Sequence, residues 1–222
     1  ISGPLFVYAV SGWRLITFMA ITPYVLLTYC NFIKKPNKIN SLIAGVLSAL
    51  PFYTYSAGRS QIFVLLIVII AHFFSKKQKN ISQKIKLAIL VIFGFAVTIS
   101  PMAVTAIGDY DAWMGRFNSF NSEKNYFENI THSLTYFNIN ANGNDFYINF
   151  PVLEGPVAIM WLLGLMATIV TFKKNWFWPV IFPLYLLPSV LSQPSFHRAC
   201  GSLILIYLFI AFNLTFSLWT LA

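Results

Sequence analysis

Long apolar runs alternate with short charged breaks along the chain, and one extended polar stretch, residues 108–155, interrupts the pattern. Seven runs reach or approach the length of a membrane crossing: 15–33, 41–56, 61–74, 87–107, 156–172, 176–191 and 201–218. A helix rises about 1.5 Å per residue and a bilayer's hydrocarbon core is about 30 Å thick, so roughly 20 residues cross it. The runs at 41–56 and 61–74 are short, and only Ala57-Gly58-Arg59-Ser60 separates them. That spacing predicts a tight helical hairpin whose tip sits shallow in the membrane. Residues 1–10 are apolar but too few to span, and Trp13 and Arg14 follow them, as in an interfacial helix or the broken top of a span. Pro101 is expected to kink or thin the end of its run, and Pro179, Pro183 and Pro188 argue against a regular helix throughout 176–191.

The expected fold is an all-α integral membrane protein with about seven transmembrane or membrane-embedded helices. It would form one polytopic domain over 1–222, with a long loop at 108–155. Composition strengthens this: 58% of residues are hydrophobic and only 9% are charged, which excludes an ordinary soluble domain. A net charge of +9 would point to nucleic acid in a soluble protein, but here lysines flank the apolar runs. Alternating the spans puts Lys34, Lys35, Lys38, Lys76, Lys77, Lys79, Lys84, Lys86, Lys173 and Lys174 on one side, cytoplasmic by the positive-inside rule. The other side receives Arg14, Arg59, Arg116, Arg198 and Lys124, together with Asp109, Asp111, Glu123, Glu128, Asp145 and Glu154, which are all the acids in the chain. Cys30 and Cys200 fall near opposite faces, so a disulfide between them is not expected. No signal peptide is recognisable, and a chain opening on Ile1 without a basic n-region reads as one whose beginning is missing.

The separation of arginine from lysine changes the picture most. Lysine suffices as a topogenic charge, whereas the planar arginine fork binds phosphate through two hydrogen bonds. Arg14 suits a headgroup anchor and a phosphate ligand equally. Arg59 sits in a turn too small to need an anchor, and Arg198 lies beside His197 after a proline-rich run, so both point to ligand binding. His72 falls near the cytoplasmic end of its run and reads as structural, while His132 and His197 fall on the other side and could bind substrate or share a proton. No metal motif, P-loop, G-x-S-x-G or dinucleotide fingerprint is present, so a divalent metal is not indicated. Within the long stretch, 126–138 (YFENITHSLTYFN) spaces Phe127, Ile130, Leu134 and Phe137 as an amphipathic helix, either lying on the membrane or capping the spans. Residues 141–150 (ANGNDFYINF) set Asn144, Asp145 and Asn149 beside aromatic side chains, as in a sugar-binding loop or a plain turn.

Several stretches, in order, resemble bacterial and archaeal glycosyltransferases related to the protein O-mannosyltransferases. GVLSALPFYTYSAGR (45–59), with Tyr55 and Arg59, is similar to their Y-T-Y-x-A-x-R stretch, and MGRFNSF (114–120) to the arginine segment that opens their large outer loop. Residues 135–151 and the trailing Glu154 resemble their F-N-x-x-G-D-x-N loop, and Arg198-Ala199-Cys200-Gly201 their R-A-x-G. Ser11-Gly12-Trp13-Arg14 resembles a further family arginine in an outer-face helix. Two departures bear on sugar choice: Tyr147-Ile148 stand where the family often has Arg-His, and Gly143-Asn144-Asp145 replaces Gly-Asp.

The resemblance implies sugar transfer from a polyprenyl-phosphate-linked donor to an acceptor protein, lipid or glycan. The reaction would take place on the non-cytoplasmic side of a prokaryotic plasma membrane. It also implies that this chain is the C-terminal part of such an enzyme, with the catalytic acid outside it. Arg59, Arg116, Arg198, His197, Tyr55, Asn144, Asp145, Asn149 and Glu154 would bind substrate. Membrane lipids and the lipid-linked donor are the implied partners, and nucleic acid is not. Alternatives are a surface-polysaccharide polymerase or ligase and a structural subunit of a larger membrane complex. A transporter is disfavoured because the runs hold almost no charge near their middles.

Overall fold

The computed structural model describes residues 14–54, 56–75, 80–110, 126–135, 153, 155–191 and 202–211, and among these the regular elements are all helical. Contacts group the chain into two compact units, Thr17–Ser122 and Ile1–Ile16 with Glu123–Ala222.

The first unit holds α1 (Arg14–Lys34) from Thr17 onward, α2 (Lys38–Thr54), a 3-10 turn (Ser56–Ser60), α3 (Gln61–Phe74) and α4 (Ile81–Gly108). In α1, Phe18, Val25, Tyr29 and Phe32 recur at helical spacing and are buried. Pro23 lies inside this helix without ending it. Asn37 starts α2, its Oδ1 accepting from the Asn40 backbone N–H at 2.8 Å. One face of α2 carries Ser41, Ala44, Gly45, Ser48 and Ala49, all buried, and the facing side of α4 carries Leu87, Ala88, Val91 and Gly94. These small residues let the two backbones meet. A Cβ at Gly45 would collide with the Val91 carbonyl, and one at Gly94 would stand 2.8 Å from the Leu42 carbonyl. Close approach of this kind is how helices gain packing energy where no hydrophobic driving force separates them from lipid.

Two helices, Ile16–Lys34 within α1 and Ile81–Gly108, are long and apolar enough to cross a membrane. The exposed residues of α4 include Ile85, Ile89, Ile92, Phe93, Val97, Val104 and Ile107, an extended apolar outer face. The other apolar helices run 10–17 residues. One detail differs from the sequence reading. The apolar run predicted over 87–107 belongs to a helix that starts earlier, at Ile81, because Asn80 caps it, its side chain accepting from the Ser82 N–H at 3.0 Å. Lys84 and Lys86 are therefore helix residues. The helix continues past Pro101 to Gly108.

In the second unit, α5 is Tyr126–Thr135, α6 is Gly155–Val170, α7 is Phe177–Val190 and α8 is Ser202–Ala211. Phe172–Asn175 form a single helical turn that carries Lys173. Gly155 enters α6 at φ +49°, a backbone state that glycine adopts without strain, and Pro156 follows at the position where a helix has no use for its N–H. The prolines do not break 176–191. Pro183 and Pro188 lie inside a continuous α7, since each deletes one backbone hydrogen bond while its φ remains helical. Trp161, Phe182 and Phe209 pack with ring centroids 5.4–6.2 Å apart, and Gly164 lets α6 approach the Phe209 carbonyl too closely for any Cβ.

Of the amphipathic helix predicted at 126–138, residues 126–135 are helical as α5, and 136–138, with Phe137, lie outside the described residues. Helix α5 caps α7: Asn129 Nδ2 donates to the Val190 carbonyl at 3.1 Å, and the Ser133 and Ser189 hydroxyls pair at 2.9 Å. Val190 lies in the last turn of α7, where a helix leaves carbonyls without an internal partner. Phe127 (80% exposed), Ile130 and Leu134 remain on the uncovered side, and Glu128 pairs with His132 at 3.6 Å.

Candidate functional site

Of the nine residues singled out for substrate binding, Arg59 lies among the described ones. Tyr55, Arg116, Asn144, Asp145, Asn149, Glu154, His197 and Arg198 lie outside them. Arg14 begins α1.

Arg59 belongs to the 3-10 turn Ser56–Ser60, which joins α2 to α3 and forms the predicted hairpin tip. Two contacts fix this turn. On the side before Arg59, Gly58 is buried against the end of α2, where a Cβ would collide with the Pro51 carbonyl. On the side after it, Ser60 and Gln61 are both buried, and Gln61 Nε2 donates to the Tyr29 hydroxyl at 2.6 Å. Arg59 is half-buried, with its Nε closed off from solvent. The result is a cation set on a short, backbone-locked turn between two apolar helices.

Beneath the turn lies a polar group that sequence reasoning did not find. Tyr29 of α1 is fully buried, and its hydroxyl lies 2.8 Å from Ser48 Oγ of α2 as well as 2.6 Å from Gln61 of α3. Ser48 Oγ also reaches the Ala44 carbonyl. One phenol thus ties three helices together. The available signal was weak: a glutamine opening the apolar run 61–74, and a tyrosine in mid-run 32 positions earlier. Tyr53 is tied as well, its hydroxyl donating to the Thr98 carbonyl at 2.5 Å, so it packs α2 against α4.

At the opposite end of α3, His72 is fully buried and stacked on Phe32 with centroids 4.6 Å apart, as a structural histidine would be. Beside it Lys84 is only 8% exposed, and its Nζ donates to the Phe73 and Ser75 carbonyls at 2.6 and 2.8 Å. Its assignment as one more surface lysine of a cytoplasmic loop is thus corrected: Lys84 closes the end of α3. Among the described residues no three His, Cys, Asp or Glu side chains gather into a possible metal site.

A scan against protein-family models, a search of curated proteins and a search of solved structures each find no match to this chain.

Proposed function

We propose that the protein transfers a sugar from a polyprenyl-phosphate-linked donor to an acceptor on the non-cytoplasmic side of a membrane, with Arg59 as a ligand of the lipid phosphate. The observation that carries this reading is the setting of Arg59. A guanidinium on a flexible loop would serve as an anchor, but the turn that carries this one is held by Gly58 against Pro51 and by Gln61 on Tyr29. Donors fixed before charge develops are the largest single source of stabilisation for a leaving group, because they need no reorganisation during reaction. Arg116 and Arg198, with His197, would supply further charge for the phosphate. Tyr55, Asn144, Asp145, Asn149 and Glu154 would meet the sugar or acceptor.

The same reading completes the membrane architecture. The shorter helices α2, α3, α6, α7 and α8 would be further membrane-embedded segments, about seven in all with α1 and α4, and Lys34, Lys35, Lys38 and Lys173 would mark their cytoplasmic ends. The Arg59 turn would then open to the other side. There α5 would rest with Phe127, Ile130 and Leu134 toward the headgroups, supported by the polar contacts that fix its opposite flank to α7.

The test is sugar transfer by membranes containing the protein, from a defined polyprenyl-phosphate sugar, with Arg59 changed to Ala. Loss of one preorganised contact predicts a fall of about a hundredfold. Activity within twofold of the parent overturns the assignment of Arg59.

A further inference from the structure

We infer that Tyr29, acting through Gln61, is a positioning residue for Arg59. The inference rests on the phosphate-binding reading above and adds to it a residue 30 positions away, on a different helix.

The hydrogen bonds around Tyr29 are complete in a way that fixes direction. Gln61 Nε2 donates to the Tyr29 oxygen at 2.6 Å, the Tyr29 and Ser48 hydroxyls lie 2.8 Å apart, and Ser48 Oγ reaches the Ala44 carbonyl. Each hydroxyl has one proton to give. A run in which Gln61 donates to Tyr29, Tyr29 to Ser48 and Ser48 to the carbonyl uses all of them and ends on the backbone of α2. All three side chains are buried, Tyr29, Ser48 and Gln61 each at 0% exposure.

Stability does not account for this arrangement. Apolar side chains of the same shape in place of all three would fill the space at nearly neutral cost, since most of a buried hydrogen bond's energy offsets the desolvation of its partners. What polar groups add is register. Apolar faces can slide or rotate against one another, whereas this set pairs at one placement of α3 relative to α1 and α2. Register matters where something depends on it, and Gln61 is two residues from Arg59. On the other side Gly58, one residue from Arg59, is seated on the Pro51 carbonyl. Arg59 is therefore carried between two fixed points, one steric and one hydrogen-bonded, and Tyr29 is the anchor of the second.

The experiment is a double-mutant cycle in the full chain, reconstituted in nanodiscs, with undecaprenyl phosphate as the binding probe. Tyr29→Phe removes one oxygen, and Gln61→Met, close in volume, removes the donor and serves if Tyr29→Phe does not fold. Either variant should weaken probe binding about tenfold, the order of one misdirected hydrogen bond; Tyr29→Phe, which leaves the buried Gln61 amide without this acceptor, should also lower the melting temperature, whereas Gln61→Met, which leaves Tyr29 paired with Ser48, should move it little. Either should also speed hydrogen exchange in residues 56–60. Combined with Arg59→Ala, neither should weaken binding further, because both act through the same guanidinium. Additive losses, or parental binding in both single variants, overturn the inference while leaving Arg59 as a ligand. Parental binding in Arg59→Ala alone overturns the phosphate reading, and the inference with it.

Discussion

The two ends of α3 each hold a basic side chain and a buried polar one, and they use them in opposite ways. At the Gln61 end the buried polar groups satisfy one another through Tyr29 and Ser48, and the cation Arg59 is only half-buried in the turn itself. At the His72 end the cation itself is a helix cap. Lys84 reaches back from α4 to two carbonyls at the end of α3, while His72 beside it is buried and stacked on Phe32. Charge of one sign therefore does two jobs within one helix length. The flexible four-carbon stem of lysine suits it to capping a neighbouring helix, and the rigid fork of arginine suits it to a ligand with two oxygens. A basic residue in a membrane protein is thus read from what its side chain can reach.

The sharpest way to break that contrast is to remove each cation. Arg59→Ala should cost about a hundredfold in sugar transfer, about 3 kcal/mol, with the unfolding midpoint in detergent little moved. Lys84→Met should do the reverse. Leaving the Phe73 and Ser75 carbonyls without their donor predicts a loss of about 1–3 kcal/mol in stability, read from denaturant unfolding, with activity per folded molecule kept. If both variants lose activity and stability together, the two ends are alike and the contrast fails. Arg59→Lys is the finer probe. It keeps the charge and removes the fork, so an intermediate loss of about tenfold in transfer is expected. A full return of activity with lysine would show that charge alone suffices in the turn.

The helices were legible where length and hydrophobicity decide them. The runs 15–33 and 61–74 reappear as Arg14–Lys34 and Gln61–Phe74, and the hairpin tip between 56 and 60 is where the spacing put it. What was missed depends on partners distant in sequence. Lys84 looked like a loop charge because the polar first turns of α4 precede its apolar run, and only the Asn80 cap marks the true start. Gly45 and Gly94 stood unremarked within apolar runs, since their meaning lies in a contact between helices about 50 residues apart. The prolines of α7 suggested a break because each removes a hydrogen bond, but the helix tolerates single losses. Arg59 was legible because a cation in a four-residue break is conspicuous. Tyr29 and Gln61, which hold its turn, look like ordinary residues of two separate spans.

The smallest predicted effect bears on His72 and has the opposite sign from the rest. His72 is fully buried, and neither ring nitrogen has a hydrogen-bond partner among the described residues. A buried polar group without a partner costs about 1–3 kcal/mol, and replacing it by an apolar side chain of similar volume removes that cost. Against this stands the loss of the ring stacked 4.6 Å from Phe32, a contact that contributes about 0.5–1.5 kcal/mol. The first term is the larger, so His72→Leu should stabilise the protein by about 1 kcal/mol, seen as a rise in the denaturant midpoint. Activity should not change, because the substitution lies at the far end of α3 from Arg59. A loss of stability of the same size would mean that the imidazole has a partner, such as a buried water, and that α3 is held by polar contacts at both ends. In that case only the exposure of the cation, and not the pairing of the groups around it, would distinguish the Arg59 turn from the Lys84 cap.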